Sequence, residues 1–340
     1  MKAIVYTAPR TFSYTEVPTP EPKAGEVLIK VIQSGICGTD LHLHEGQFMA
    51  SFPFIPGHET VGVVAKVGTG VTEFKVGEQV VTNPNSACGI CSNCAIGYTL
   101  LCKNLSGLGS NLPGGFAEYM VAPKEQVFSA KGLHPDVAVL TEPTACVVHG
   151  MEVLNPKPGS KALVFGAGPT GLILAQLLAT TPNINVTIAA SSQYKLDLAT
   201  KYGIDFAYKL NKNDLKSDIP KLMDLSGGNG FDIVVEATGS AKVSQECVGL
   251  TADGGTVLFY GVTDEHDLVS ISPYEIFRRE ITIKGSFAEI DSFPGALQAL
   301  RSGRVKTEGI ITHRFALSDY GKALDAQLND PTRHKIVMVP

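Results

Sequence analysis

The stretch KALVFGAGPTGLILAQLLATT, from Lys161 to Thr181, decides the fold class. It joins an apolar strand-like run, a glycine-rich turn and a second apolar run that is long enough for a helix. The turn has the pattern G-x-G-x-x-G, formed by Gly166, Gly168, Pro169, Thr170 and Gly171. In such a pattern the first glycine permits a tight turn, the second lets a pyrophosphate approach, and the third lets helix pack on strand. We therefore predict a dinucleotide phosphate site at the start of the helix; chance glycines in an ordinary turn are the alternative.

The segments after this stretch repeat the same rhythm. The strand-like runs NVTIAASS, IDFAYKL, FDIVVEATGS and GGTVLFYGV follow at strand–helix spacing, which is typical of a doubly wound parallel sheet. The chain before residue 155 instead has short β-like runs broken by Gly and Pro, and the final run HKIVMVP is expected to return to that part. We predict an α/β protein with a β-rich domain over residues 1–154 and 286–340 and a dinucleotide-binding domain over residues 155–285.

The end of the second strand in the dinucleotide-binding domain indicates which cofactor binds. NAD-binding versions place an acidic residue about 20 residues after the glycines, where it accepts a hydrogen bond from the ribose 2′-OH. Here Ala190 lies nineteen residues after Gly171, and no acidic residue occurs between Gly171 and Asp197. Hydroxyls and a cation that suit a 2′-phosphate lie nearby, in Ser191, Ser192, Tyr194 and Lys195. We expect NADP(H) to be favoured over NAD(H); a serine that merely caps the next helix is a compatible alternative.

Composition narrows the classes of function. The chain has 340 residues, which suggests about two domains, and 44% of them are hydrophobic, which is ample for folded cores. The net charge of −5 gives no basic excess for binding nucleic acid. No uninterrupted apolar run reaches the ~20 residues that span a bilayer, and the N-terminus lacks a signal-peptide pattern. We expect a cytoplasmic protein with no membrane or nucleic-acid partner.

Four of the seven cysteines fall within the segment CGICSNCAIGYTLLC: Cys88, Cys91, Cys94 and Cys102. Clustered cysteines in a reducing compartment more often bind metal than form disulfides. The short C-x2-C spacing lets two thiolates face one ion, and a fourth thiolate closes the tetrahedron. A closed four-thiolate site has no open position, so we predict a structural zinc in a lobe over residues 84–106. An iron–sulfur cluster and a chance cluster of buried cysteines are the alternatives.

A second group of ligand-type residues occurs in SGICGTDLHLHEG and IPGHETVGVV. Cys37, His58 and Glu59 offer three mixed ligands and leave a fourth position for water or substrate, which is the arrangement of a catalytic zinc. Glu142, in LTEPTACVVHG, is a further candidate that either ligates the metal in exchange with substrate or lies next to the ligands. Taken singly, a buried cysteine or histidine is more often an ordinary core residue.

Together these motifs resemble the zinc-dependent medium-chain alcohol dehydrogenases over essentially the whole chain. The resemblance is carried by CGTDLH, GHE, the four-cysteine lobe, TEP and GAGPTG. It is greatest to the polyol branch, in which Glu rather than a second Cys completes the zinc ligands. This resemblance implies a GroES-like catalytic domain built from both chain ends, a Rossmann domain between them, an active site in the cleft, and a dimer or tetramer.

The same resemblance implies roles for further residues. Thr39 is expected to contact the substrate oxygen and His42 to relay a proton to solvent, although His42 and His44 could be ordinary surface histidines. The expected substrate pocket contains Phe48, Phe52, Phe54, Phe287 and Glu289.

Substrate identity follows less directly from these residues. Sorbitol dehydrogenases carry Arg where this chain has Ala288, which argues against sorbitol, and Glu289 either accepts hydrogen bonds from polyol hydroxyls or is solvated. We expect a polyol/ketose pair such as D-arabinitol. The alternatives are a carbonyl reductase for small apolar ketones or diols, and an NADPH-binding structural or sensor protein without catalysis.

Overall fold

The structure is a computed structural model that describes residues 1–340. The chain forms two compact units. The β-rich unit contains residues 1–145, 288–301 and 307–340, and the parallel-sheet unit contains residues 146–287 and 302–306. The predicted α/β fold class is confirmed. The division after residue 145 falls inside the helix Thr141–Leu154, whereas the sequence analysis placed the boundary at the end of that helix.

The first part of the chain contains nine strands and four α-helices. The strands are β1 (Lys2–Ala8), β2 (Thr11–Glu16), β3 (Glu26–Ile36), β4 (Glu59–Val67), β5 (Gln79–Thr82), β6 (Asn85–Ser86), β7 (Ser106–Gly107), β8 (Tyr119–Pro123) and β9 (Val127–Ser129). The helices are α1 (Gly38–His44), α2 (Ser92–Ala95), α3 (Pro135–Ala138) and α4 (Thr141–Leu154).

Strands and helices alternate in the second part. The strands are β10 (Lys161–Phe165), β11 (Asn185–Ala190), β12 (Phe206–Lys209), β13 (Phe231–Glu236), β14 (Thr251–Phe259) and β15 (Thr282–Gly285). The helices are α5 (Pro169–Ala179), α6 (Gln193–Tyr202), α7 (Ile219–Leu225), α8 (Ala241–Leu250) and α9 (Pro273–Arg279). The remaining elements are α10 (Phe293–Arg301), β16 (Ile311–Ala316), α11 (Tyr320–Asn329) and β17 (Lys335–Val339).

The parallel-sheet unit has the strand order β12-β11-β10-β13-β14-β15, with every pair parallel. Its central strands are buried because helices cover the sheet, so β10 and β13 are nearly continuous apolar runs. The strand order reverses between β10 and β13. Ligands of such sheets bind beyond the carboxyl ends of the strands at this reversal, which is where the glycine-rich turn follows β10.

The β-rich unit contains a sheet with the order β16-β17-β3-β4-β5-β9, and β8 also pairs with β3. Alternate residues of β3, including Val27, Ile29 and Val31, are buried in its core. The C-terminal strand β17 pairs antiparallel with β3, with Ile336 opposite Ile36. On the other side of β3, Gly35 lies opposite Glu59 of β4. Residues from three distant parts of the chain therefore meet at the carboxyl end of β3.

One helical stretch, Pro135–Leu154, is long and apolar enough to cross a membrane, with a mean hydropathy of 1.3. This qualifies the sequence expectation that no apolar run reaches that length. However, 61% of the stretch is buried inside the protein, as is usual for a core helix.

Candidate active site and metal centres

Three donor residues converge at the end of β3. Cys37 is the N-cap residue of α1 and directly follows β3. Glu59 begins β4 opposite Gly35, and His58 precedes β4, outside the regular alternation of the strand. The donor atoms of Cys37, His58 and Glu59 all lie within 4.8 Å of one another. His58 and Glu59 are buried, and Cys37 is partly exposed. This mixed cluster of sulfur, nitrogen and oxygen has the composition of a catalytic zinc site with an open position.

Asp40 links two of the donors and was missed by the sequence analysis. Its Oδ2 accepts a hydrogen bond of 2.8 Å from the backbone N–H of Cys37. Its Oδ1 lies 3.7 Å from Nδ1 of His58, and neither of these two buried atoms has a hydrogen-bond partner. A carboxylate on one ring nitrogen orients a histidine so that the other nitrogen, here Nε2, can bind a metal. The available signal was the position of Asp40 in CGTDLH, three residues after a candidate ligand.

Lys335 was also missed, although it is a lysine inside an apolar strand. Its buried Nζ lies 2.6 Å from both carboxylate oxygens of Glu59 and donates to the backbone oxygen of Ile36 at 3.2 Å. Burial lowers the pKa of Lys335, but Glu59 and Cys37 outweigh burial and raise it overall. Gly35 leaves room for this pair, because a Cβ at that position would overlap Oε2 of Glu59.

The mixed cluster holds a surplus of acidic groups. Burial raises the pKa of Asp40. Burial lowers the pKa of His58, but Asp40 and Cys37 reverse this and raise it well above the ordinary value. Asp40, Glu59 and Cys37 thus raise the pKa of the basic groups His58 and Lys335, so the electrostatic field at this site favours positive charge. A divalent cation fits both that charge and the donor set.

Glu142, in the first turn of α4, contributes to the negative electrostatic field at the mixed cluster. It is buried, and it raises the pKa of both His58 and Lys335. It is not one of the three donors within 4.8 Å of one another. Its role as an exchanging ligand or as a neighbour of the ligands stays a prediction.

Thr39 and His42 lie on α1, beside the mixed cluster. Thr39 Oγ1 is 3.7 Å from Cys37 Sγ, and His42 lies three residues later on the same helical face. The other histidine of this helix, His44, has a different environment. Its Nδ1 lies 2.7 Å from the hydroxyl of Tyr6, a core residue, and burial lowers its pKa. Packing against Tyr6 accounts for His44 without a catalytic role.

The four-cysteine lobe is the second group of metal-type donors. The sulfur atoms of Cys88, Cys91, Cys94 and Cys102 lie within 4.8 Å of one another. Backbone N–H groups of Cys94 and Lys103 lower the pKa of Cys91 to about 6, which favours its thiolate. Burial, followed by hydrogen bonds to the sulfur atoms of Cys91 and Cys102, raises the pKa of Cys94 to about 12. The group therefore fits a closed four-thiolate zinc site.

The glycines of the dinucleotide motif have three distinct environments. Gly166 has φ of +105°, a conformation that only glycine adopts at low cost. A Cβ on Gly171 would overlap the backbone oxygen of Gly166, so this glycine permits close packing of helix on strand. A Cβ on Gly168 would meet no atom within 4 Å, which leaves open space at the N-terminus of α5. That space, with Pro169 and Thr170 in the first helical turn, fits a pyrophosphate.

Comparison with known proteins agrees with these sites. A family model for the alcohol dehydrogenase GroES-like domain matches residues 23–132, and one for zinc-binding dehydrogenases matches residues 169–302. D-arabinitol dehydrogenase 1 of Uromyces fabae is 42% identical, covering 96% of this chain and 93% of the relative. D-altritol 5-dehydrogenase of Agrobacterium fabrum is 36% identical, covering 99% of this chain and 98% of the relative. The chain belongs to the zinc-dependent medium-chain alcohol dehydrogenases.

The fold of this dehydrogenase is also shared with solved structures. A protein of Sinorhizobium meliloti, described as a zinc-binding dehydrogenase and bound to NADP, superposes with a TM-score of 0.92 at 30% identity. The match covers 100% of this chain and 99% of that protein. The expected GroES-like and Rossmann folds and the resemblance to the polyol branch are confirmed.

The residues expected near the 2′-phosphate lie where β11 of the dehydrogenase meets α6. Ala190 is the last residue of β11, and Ser191 is exposed directly after it. Ser192 occupies the N-cap position of α6, but its side chain makes no capping hydrogen bond. Tyr194 and Lys195 follow in the first turn of α6. Capping of α6 therefore does not use the hydroxyl group of Ser192.

The residues predicted for the substrate pocket differ in how exposed they are. Phe48 is 43% exposed and Phe52 is partly buried. Phe54 instead lies in the hydrophobic core, stacked on Tyr6 with ring centroids 5.4 Å apart, so packing explains its presence. Phe287 is 39% exposed and belongs to the parallel-sheet unit.

Glu289 is not solvated, contrary to one sequence expectation. Its side chain is fully buried, and Oε2 accepts a hydrogen bond of 3.3 Å from Asn83. Its other oxygen, Oε1, has no partner. Burial and the nearby Glu142 raise the pKa of Glu289 to about 9, so the carboxyl group is mostly protonated at neutral pH.

Proposed function

We propose that this dehydrogenase transfers a hydride between NADP(H) and a secondary alcohol or ketone, and that its substrate is a polyol/ketose pair such as D-arabinitol and its ketose. The observation that carries the proposal is the mixed cluster of Cys37, His58 and Glu59, which lies beside Thr39 on the same unit. The 42% identity to a D-arabinitol dehydrogenase supports the substrate class.

The chain's own residues divide the work of this reaction. When bound, zinc supplies Lewis acidity at the substrate oxygen, and the nicotinamide cofactor supplies the hydride acceptor or donor. Cys37, His58 and Glu59 would hold the metal, while Asp40 and Lys335 keep two of these ligands in place. The hydroxyl of Thr39 would hold the proton that leaves or joins the substrate oxygen. His42, partly exposed on the same helical face, would exchange that proton with solvent.

The preference for NADP(H) follows from the lack of an acidic residue at position 190. Ala190→Asp would place a carboxylate where it repels a 2′-phosphate and accepts a hydrogen bond from a free 2′-OH. We expect the ratio of kcat/KM for NADP to that for NAD to fall by about tenfold or more. Ala179→Asp, at the far end of α5, is the matched control for an added charge. A wild-type enzyme that prefers NAD would contradict the proposal.

The substrate class can be tested with a panel of compounds. We expect kcat/KM to be highest for D-arabinitol or another five-carbon polyol among arabinitol, xylitol, sorbitol, 2,3-butanediol and simple ketones. A second candidate function, reduction of small apolar ketones or oxidation of diols, is favoured by the exposed ring of Phe48. Higher kcat/KM for butanediol or simple ketones than for every polyol would favour this second candidate.

A non-catalytic NADPH-binding protein is the alternative of another class. Metal content separates the two, because the dehydrogenase requires a metal in the mixed cluster and a sensor does not. We propose two zinc ions per chain, one catalytic and one structural in the lobe. One zinc with no chelator-sensitive turnover would favour the binding protein.

We also propose a cytoplasmic homo-oligomer, a dimer or tetramer. All seven cysteines are free thiols, which suits a reducing compartment. Large apolar side chains are exposed in and near α9, at Leu268, Tyr274 and Phe277. Monomers rarely expose such groups together, so a second copy of the chain is the expected cover. Light scattering that gives the mass of one chain, 36.0 kDa, would contradict this assembly.

A further inference from the structure

We propose that Gln47 is a positioning residue that selects the tautomer of His42. The inference rests on the proposed function, in which His42 exchanges a proton with solvent. Oε1 of Gln47 lies 3.0 Å from Nδ1 of His42, and both side chains are partly buried. An amide oxygen only accepts hydrogen bonds, so Nδ1 of His42 carries a hydrogen. In the neutral ring, Nε2 is then the nitrogen that accepts a proton.

The backbone holds Gln47 in this position. After α1 the chain turns back, and Gln47 N–H donates to the carbonyl of His42 at 2.9 Å while Gly46 N–H donates to that of Leu43 at 3.0 Å. These two bonds form a Schellman motif, in which the residue after the helix needs a left-handed conformation. Gly46 supplies it with φ of +81°, and a Cβ there would approach Pro9 Cγ to 2.7 Å. His42 and Gln47 are thus joined by both a backbone and a side-chain hydrogen bond.

Phe48 restrains the same ring from another side. The planes of the Phe48 and His42 rings are inclined by 29°, and their centroids are 6.4 Å apart. With Nδ1–H held by Gln47, proton uptake and release occur only at Nε2, and the ring does not have to turn between the two steps. His44, two residues away, lacks this arrangement, because its Nδ1 meets the hydroxyl of Tyr6, which can donate or accept.

The tautomer can be read directly by nitrogen-15 NMR of the full-length, histidine-labelled protein without substrate, with His42→Asn used to assign the signal. We expect the Nδ1–H form in the wild type and a shift toward Nε2–H in Gln47→Leu. Because one hydrogen bond is lost, kcat of Gln47→Leu should fall by about fivefold to tenfold with little change in KM.

Gln47→Glu separates positioning from simple packing. Its carboxylate also accepts from Nδ1, so it should restore the Nδ1–H form, and it should move the pH profile of kcat to higher pH because it favours the imidazolium. A purely structural role predicts equal losses in both variants and no pH shift, which would overturn the proposal. An Nε2–H wild type, an unchanged tautomer in Gln47→Leu, or unchanged kcat in that variant would each overturn it too. Failure of the proposed function would be seen separately, because the wild type would then not turn over any polyol, whereas the NMR measurement of the tautomer needs no substrate.

Discussion

The two groups of metal-type donors differ in how the chain builds them. The four-cysteine lobe takes all its candidate ligands from fifteen consecutive residues, Cys88 to Cys102, and three of its four cysteines are partly exposed. The mixed cluster takes ligands from the end of β3 and the start of β4, and Lys335 completes it from near the C-terminus. The lobe is surrounded by backbone N–H groups, whereas the mixed cluster is surrounded by buried charges. A single short segment can therefore assemble the four-cysteine group, whereas the mixed cluster forms only when distant strands pair in the correct register.

The largest expected effect separates the two sites by function. Cys37→Ser should lower kcat by about a thousandfold or more, because it removes a ligand of the site proposed to activate the substrate oxygen. Zinc content should fall from about two to about one per chain, and NADPH binding measured by fluorescence should persist. Cys247→Ala, a buried cysteine outside both groups, is the control and should keep both zinc ions. Activity that survives in Cys37→Ser would remove this metal from the mechanism.

The second prediction concerns the buried charges that distinguish the mixed cluster. Lys335→Met leaves the buried carboxylate of Glu59 without its cation, so the free energy of unfolding of the zinc-free protein should fall by about 3–5 kcal/mol. Urea denaturation with and without zinc measures this loss, and zinc should recover part of it by pairing with Glu59. Lys2→Met, which removes an exposed pair with Glu16, should have little effect. Equal losses in the two variants would show that burial of the Lys335–Glu59 pair is unimportant.

The third prediction tests whether the lobe is only structural. Cys91→Ser should lose the lobe zinc and lower the melting temperature by roughly 5–10 °C, because a structural zinc contributes to folding. At 25 °C kcat should remain within about threefold of the wild type, since the lobe sulfur atoms and the mixed cluster's donors form two separate groups. Calorimetry and initial rates measure the two quantities. A loss of kcat as large as that of Cys37→Ser would end the distinction between the two sites.

The last prediction concerns a pH dependence of stability near the mixed cluster. The pKa of Glu289 is raised to about 9 in the folded protein, above its ordinary value near 4.5. Because the folded protein retains a proton that the unfolded chain releases, the contribution of Glu289 to stability is complete below pH 4.5. It then declines as pH rises from 4.5 toward 9.

Glu289→Gln mimics the protonated form and should remove this dependence. The melting temperature of the variant relative to the wild type should therefore rise steadily between pH 5 and pH 9. Glu275→Gln, an exposed glutamate on α9, serves as the control. A constant difference across this range would contradict a protonated Glu289.

Much of the fold was predictable from the sequence because its signals are local. The glycine motif after β10 depends on a turn, a helix N-terminus and a close approach within six residues, all of which the spacing already specifies. The spacing of the lobe cysteines likewise lies within one short segment. The surroundings of Phe54 and Glu289 could not be predicted in the same way, since an apolar ring and a carboxyl group give no local sign of whether they face a pocket or a core.

By itself, the sequence determined the α/β class, the family, the dinucleotide motif and the two sets of candidate ligands. The tertiary structure alone decided that Asp40 meets His58, that Lys335 pairs with Glu59, and that Glu289 is buried. The physical reason is strand register. Pairing of β3 with both β4 and β17 brings together residues nearly 300 positions apart, and no spacing in the sequence encodes which side chains then share a buried volume.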